Sequence, residues 1–98
     1  MYIKIHHSYR DVVAICDSEI IGKKFEEGKM QLEVRENFYK EKEVEKEELI
    51  RIIRLQQVED ATFNIVGKKS IKTAIEAELI TEDNVGHVQG IPFALTLL

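Results

Sequence analysis

The chain holds a single cysteine, Cys16, so no disulfide can close within it, and a reducing cytoplasm is the compartment to expect. One proline and five glycines are too few for a flexible or proline-rich linker. No apolar run reaches the roughly 18 residues that cross a bilayer, so no membrane partner is expected. The opening residues, MYIKIHHS, lack the basic, apolar, small-residue succession of a signal peptide. Positive charge is not in excess either: 14 basic residues against 18 acidic ones leave a net charge of −4. Proteins that coat nucleic acid through bulk attraction for phosphate are usually basic, so that class is disfavoured, although a local basic patch is not.

What is present is a globular composition. With 98 residues, 44% apolar and 33% charged, the chain can build one core and is too hydrophobic to stay disordered. A single compact domain over residues 1–98 follows.

Periodicity divides the chain into strands and helices. MYIKIHH alternates, with Tyr2, Lys4 and His6 on one face and Ile3 and Ile5 on the other, as a half-buried strand does. Val12 to Cys16 is a continuous apolar run suited to a central strand covered on both faces, and the two strands can pair as a hairpin. From Ser18 the spacing of Ile20, Ile21 and Phe25 predicts a short helix ended by Gly28. MQLEVRE alternates again as a strand, EVEKEELIRIIRLQQ carries the helical stripe Leu49, Ile52 and Ile53, and ATFNIVG reads as a further strand. SIKTAIEAELI predicts a third helix with Ser70 as its N-cap, and Thr81 can cap one more turn. GIPFALTLL is a closing strand with Pro92 at its start or on an edge. The order β-β-α-β-α-β-α-β predicts an α/β domain: a mixed sheet of about five strands against three main helices.

Three clusters carry polar groups that chemistry could use. Cys16-Asp17-Ser18-Glu19 places a thiol beside two carboxylates, with His6, His7 or His87 as the available bases. The same carboxylates disfavour a thiolate, and a cysteine ending a buried strand followed by a capping Asp17 or Ser18 accounts for these residues without catalysis. Catalytic candidates are therefore Cys16, Asp17, Glu19 and His87, none assigned. No C-x-x-C or H-x-x-x-H pair or carboxylate-rich loop is present, and His6 and His7 point to opposite faces of a strand, so neither a metal site nor a cofactor is expected.

Gly67-Lys68-Lys69-Ser70 joins a strand to a helix start, a layout whose backbone N–H groups, dipole and lysines favour an anion such as an RNA phosphate. It is not a Walker A loop, because Thr62 stands where that loop has its first glycine. Turn and cap chemistry also explains it. Phe38 and Tyr39, near Arg35, Lys40 and Lys42, form an aromatic pair able to stack on a base or to close the core.

Four segments, AICDSEIIGKKF, VRENFYK, FNIVGKKSIKTAIEAELI and VQGIPFALTLL, together resemble an archaeal family catalogued as domain of unknown function 424. The resemblance spans nearly the whole chain and implies an archaeal source, a compact α/β domain and an association with the translation machinery, but no activity. One departure stands out: the family pattern has a glycine after Phe-Tyr, where this chain has Lys40-Glu41. Taken together, the expectation is a cytoplasmic, non-catalytic binding module, with RNA or translation components as partners. The alternatives are a small enzyme centred on Cys16 to Glu19 and a homodimer completed through a sheet edge or an apolar helix face.

Overall fold

Alternation in the first strand and a fully apolar second strand set the plan of the molecule, since one side of the pair must then be buried and the other partly so. The computed structural model describes residues 1–96. In chain order the elements are β1 (Tyr2–His6), β2 (Val12–Cys16), a 3₁₀ turn (Ser18–Ile20), β3 (Lys24–Glu27), β4 (Met30–Glu33), α1 (Glu36–Tyr39), β5 (Lys42–Glu43), α2 (Lys46–Val58), β6 (Thr62–Val66), α3 (Lys68–Glu76), a second 3₁₀ turn (Glu82–Asn84), β7 (Gly86–Val88) and β8 (Ile91–Thr96). The last two residues of the predicted closing strand, 97 and 98, lie outside the described residues.

A six-stranded mixed sheet runs in the order β5-β1-β2-β6-β8-β7, and β3 and β4 form a separate two-stranded sheet. The hairpin expected between β1 and β2 is formed, with Tyr2 opposite Cys16 and His6 opposite Val12. β2 and β6 pair in parallel, Val12 with Thr62 and Cys16 with Val66, and β8 returns antiparallel to β6.

Side chains alternate across a strand, so the apolar run of β2 feeds both faces. Val13 and Ile15 join Phe63, Ile65 and Ala94 against Leu49 and Ile53 of α2 and Ile71 and Ala74 of α3. Ala14 and Cys16 join Val66 on the opposite face, under Val34, Tyr39 and Phe25. The second cover is partial. It seals the end of the sheet at Tyr2, Cys16 and Val66, while His6, Val12, Thr62 and Asn64 keep some exposure and Leu95 is 60% exposed.

Several expectations are corrected. The helix predicted from Ser18 to Gly28 does not form: the 3₁₀ turn Ser18–Ile20 is followed by Gly22 (φ 81°), and a hairpin follows with Gly28 (φ 61°) in its two-residue turn. Ile20, Ile21 and Phe25 do share one apolar cluster, reached by a turn and a strand rather than by a helical stripe. The strand at Met30 belongs to this small sheet, and the main sheet gains β5 and β7. Ser70 is not an N-cap. α3 begins two residues earlier, after Gly67. Thr81 does cap a turn, its backbone N–H donating to Asn84 Oδ1 at 2.9 Å.

Candidate functional site

Parallel pairing brings the C-terminal ends of β2 and β6 side by side, and Asp17 leaves β2 at that point. Its carboxylate, 5% exposed, does not cap the turn beside it but the remote helix α3. Oδ2 accepts from the backbone N–H of Lys69 at 3.0 Å, and Oδ1 accepts from the N–H of Ser70 at 2.8 Å and from its hydroxyl at 2.7 Å. An anion at a helix start is favoured by the unpaired N–H groups and the dipole. Here the chain supplies that anion itself. Lys69 Nζ is taken by Glu19 Oε1 at 3.4 Å on the surface, and Lys68 is exposed.

Cys16 lies under this cap with no exposure. Burial, followed by the charge of Asp17, pushes its thiol up to about 12, so it stays protonated and poorly nucleophilic. His87 sits on the outer strand β7, with β8 and β6 between it and β2. The acid and thiol candidates are therefore not joined by that base. An aromatic disulfide reagent should label Cys16 only as fast as the protein opens. Raising the pH through the ordinary thiol range, roughly 8–9, should not accelerate labelling of the folded protein. Rapid stoichiometric labelling of native protein would show an accessible thiolate instead.

A cleft of about 410 Å³ opens on the partly covered sheet face, between α1, the end of β4 and the strands beneath. Its walls include His6, Glu33, Arg35, Asn37, Phe38, Tyr39 and Asn64. A four-residue helix such as α1 leaves its later carbonyls without helical partners, and β1 supplies partners for those of Asn37 and Phe38. Lys4 Nζ donates to the Asn37 carbonyl at 2.8 Å, and His6 Nε2 meets the Phe38 carbonyl at 2.8 Å. The His6 ring stacks on Phe38, with centroids 4.5 Å apart and planes at 22°, and Phe38 meets Tyr39 edge-on at 5.0 Å. Tyr39 is the ring that closes the core, its hydroxyl pushed up to about 12 by burial. Phe38 is half-buried at the rim.

Arg35 Nε and Nη2 face Glu33 at 3.2 and 3.4 Å, which fixes the guanidinium beside the cleft. Asn64 lies on β6 beyond Ala14, with which it is in register. Its side-chain amide has no hydrogen-bond partner among the described residues. Phe38 and Tyr39 thus fall at the cleft, whereas Gly67, Lys68, Lys69 and Ser70 do not line it. The cleft adds His6 and Asn64 as functional candidates. Alternation places His6 on the face of Lys4, but its meeting with Phe38 depends on α1, which has too few residues to show a helical period. At Lys40 the backbone is extended (φ −98°, ψ 101°) and requires no glycine.

Residues 5–97 match the family model described as protein of unknown function (DUF424), and the chain belongs to that family. A crystal structure of an uncharacterized conserved protein from Methanopyrus kandleri superposes with a TM-score of 0.86 at 25% sequence identity. The match covers 97% of this chain and 88% of that one. A search of the curated proteins gives no match.

Proposed function

From membership of this family and the cleft just described, we propose that the protein is a non-catalytic cytoplasmic module that holds an unpaired base of RNA, in the setting of translation. The observation that carries this reading is the Asn64 amide, without a partner among the described residues, in a cleft walled by the stacked rings of His6 and Phe38. Single-stranded RNA is recognised largely by stacking bases on aromatic rings and bonding their edges to polar side chains. A volume near 410 Å³ falls in the range of small-molecule pockets.

The net charge of −4 gives the RNA backbone no general attraction, so affinity has to come from the base and a few cations. Arg35 is the cation in the wall, and it has to leave its surface ion pair with Glu33 to reach a phosphate. Lys68 and Lys69 join this reading only through their ammonium groups, because Asp17 already takes the backbone N–H groups of Lys69 and Ser70.

Fluorescence anisotropy with short labelled single-stranded RNA tests the proposal. Phe38→Ala should weaken binding about 5- to 100-fold, the scale of one lost stacking contact. The salt slope should be shallow, on the order of −1 to −2 for one to three phosphate contacts. Lys68→Ala/Lys69→Ala protein measures the part of that pair: a flatter slope puts them on the backbone, and an unchanged isotherm removes them. Absence of binding by the natural protein, or Phe38→Ala binding equally well, would overturn the proposal.

A further inference from the structure

We propose that α2 presents a docking stripe for an acidic amphipathic helix of another protein. The stripe is Arg51, Arg54, Leu55 and Val58, spaced i, i+3, i+4 and i+7 along one face of the helix. Leu49 and Ile53 of the same helix are fully buried against the sheet, and the helical turn puts the stripe opposite them. All four stripe residues are exposed, Leu55 at 62% and Val58 at 80%. α2 covers the sheet face of Val13 and Ile15, whereas the cleft opens on the other face. The two surfaces are separate, and the stripe does not depend on the base-binding reading.

Two observations set the stripe apart from a merely solvated helix face. Large apolar side chains exposed singly are ordinary, but Leu55 and Val58 adjoin, one helical turn apart. The second observation is the state of the arginines. Other long cations are taken by acids: Lys24 by Glu26, Lys42 by Glu48 and Lys46 by Glu76. Arg51 and Arg54 have no partner among the described residues, although Glu47 stands four residues before Arg51. Arginine is enriched at protein interfaces, because its guanidinium sheds water readily and grips carboxylate with two bonds.

Charge complementarity chooses the occupant. It must bring carboxylates to the two guanidinium groups and apolar side chains to Leu55 and Val58. A nucleic-acid backbone answers the first demand and not the second. A second copy of this chain answers them only in part. With two α2 helices antiparallel about the middle of the stripe, Arg51 meets Val58 and Arg54 meets Leu55, with no carboxylate between them. Slid until Leu55 meets Val58, the pair brings Glu59 to Arg54 but carries Arg51 past the end of the other helix. A helix is the shape that fits, since the stripe is a convex ridge rising about 10 Å, and helices pack ridge into groove. Its carboxylates stand three or four residues apart, beside large aliphatic side chains.

The probe is a synthetic peptide of about 18 residues, long enough to hold helix in water, with leucines on one face and glutamates flanking them. Titrated into isotopically labelled natural protein, it should shift backbone amide resonances of residues 47–58 above all others. The same peptide with lysine for glutamate should bind at least about 5-fold more weakly. Arg51→Glu/Arg54→Glu protein should invert that preference, and Leu55→Ser/Val58→Ser protein should lose about 5- to 30-fold in affinity for the glutamate peptide. The two-peptide comparison uses unaltered protein, so it stands even if a variant folds poorly. No binding of the glutamate peptide, equal binding of both, or shifts centred away from α2 would overturn the proposal. So would a dimer, read by light scattering, that Leu55→Ser/Val58→Ser abolishes, since the stripe would then belong to a second copy. Displacement of the peptide by single-stranded RNA that shifts the same α2 amides would assign the arginines to phosphate and overturn it too. RNA binding at the cleft is read separately, through Phe38→Ala.

Discussion

Asp17→Ala protein is expected to lose about 3 kcal/mol of stability, from the unpairing of buried donors that a charged acceptor had satisfied. Two backbone N–H groups and the Ser70 hydroxyl converge on this one carboxylate, and Ser70 is itself fully buried. Water cannot readily replace the lost oxygens, so the desolvation of those donors stays uncompensated. For a domain whose total stability is roughly 5–15 kcal/mol, this is a large fraction. Urea denaturation monitored by circular dichroism would measure it. Asp17→Asn should lie between the two, because its oxygen can still accept while its NH₂ opposes an N–H donor. A loss below about 1 kcal/mol in the alanine variant would mean that the cap contributes no more than a surface hydrogen bond.

The second large effect is at Gly67, where alanine is expected to cost about 3 kcal/mol or more. Two separate penalties meet there. The backbone sits at φ 112° and ψ 154°, a region reached essentially by glycine alone, at a cost of about 1–3 kcal/mol for other residues. A Cβ would also lie 2.6 and 2.7 Å from the two carboxylate oxygens of Asp17, and against its Cγ. The penalties can be separated. In an Asp17→Ala background the overlap is gone and only the backbone strain remains, so the double variant should be less destabilised than the sum of the singles. Contacting residues commonly show such coupling, of about 0.5–3 kcal/mol. Strict additivity in this four-protein cycle would place the carboxylate away from Gly67.

Much of this architecture is legible in the residues. Tyr2 to His6 and Val12 to Cys16 declare a half-buried and a fully buried strand, and the Leu49 and Ile53 stripe and the Ile71 and Ala74 stripe declare the two long helices. The hairpin of β3 and β4 escapes because Ile20, Ile21 and Phe25 satisfy a helical spacing by chance of a turn and a strand meeting one cluster. β7 escapes because a three-residue strand shows no period, and its two-residue turn uses Gln89 (φ 51°) where asparagine or glycine would advertise it. Within Gly67-Lys68-Lys69-Ser70, the backbone N–H groups of Lys69 and Ser70 do meet an anion, one that the chain itself supplies. What no local pattern could reveal is that the anion is Asp17, since that contact depends on parallel pairing of distant strands. The cleft is of the same kind: His6, Arg35, Phe38 and Asn64 come from four separate elements or their junctions, and only the fold collects them.

The parallel pairing of β2 with β6 also bears on the order in which the molecule assembles. β1 and β2 can zip locally, but the Asp17 contact joins residues 53 apart in the chain. The hairpin β3–β4, α1 and α2 all lie inside the loop that must close first. Long-range closure has an entropic cost that local contacts do not carry, and it slows folding. The carboxylate can therefore dock only after the central strands have met, which makes it a latch set late in folding. Asp17→Ala is therefore expected to speed unfolding more than it slows folding, which the two arms of a denaturant chevron would measure.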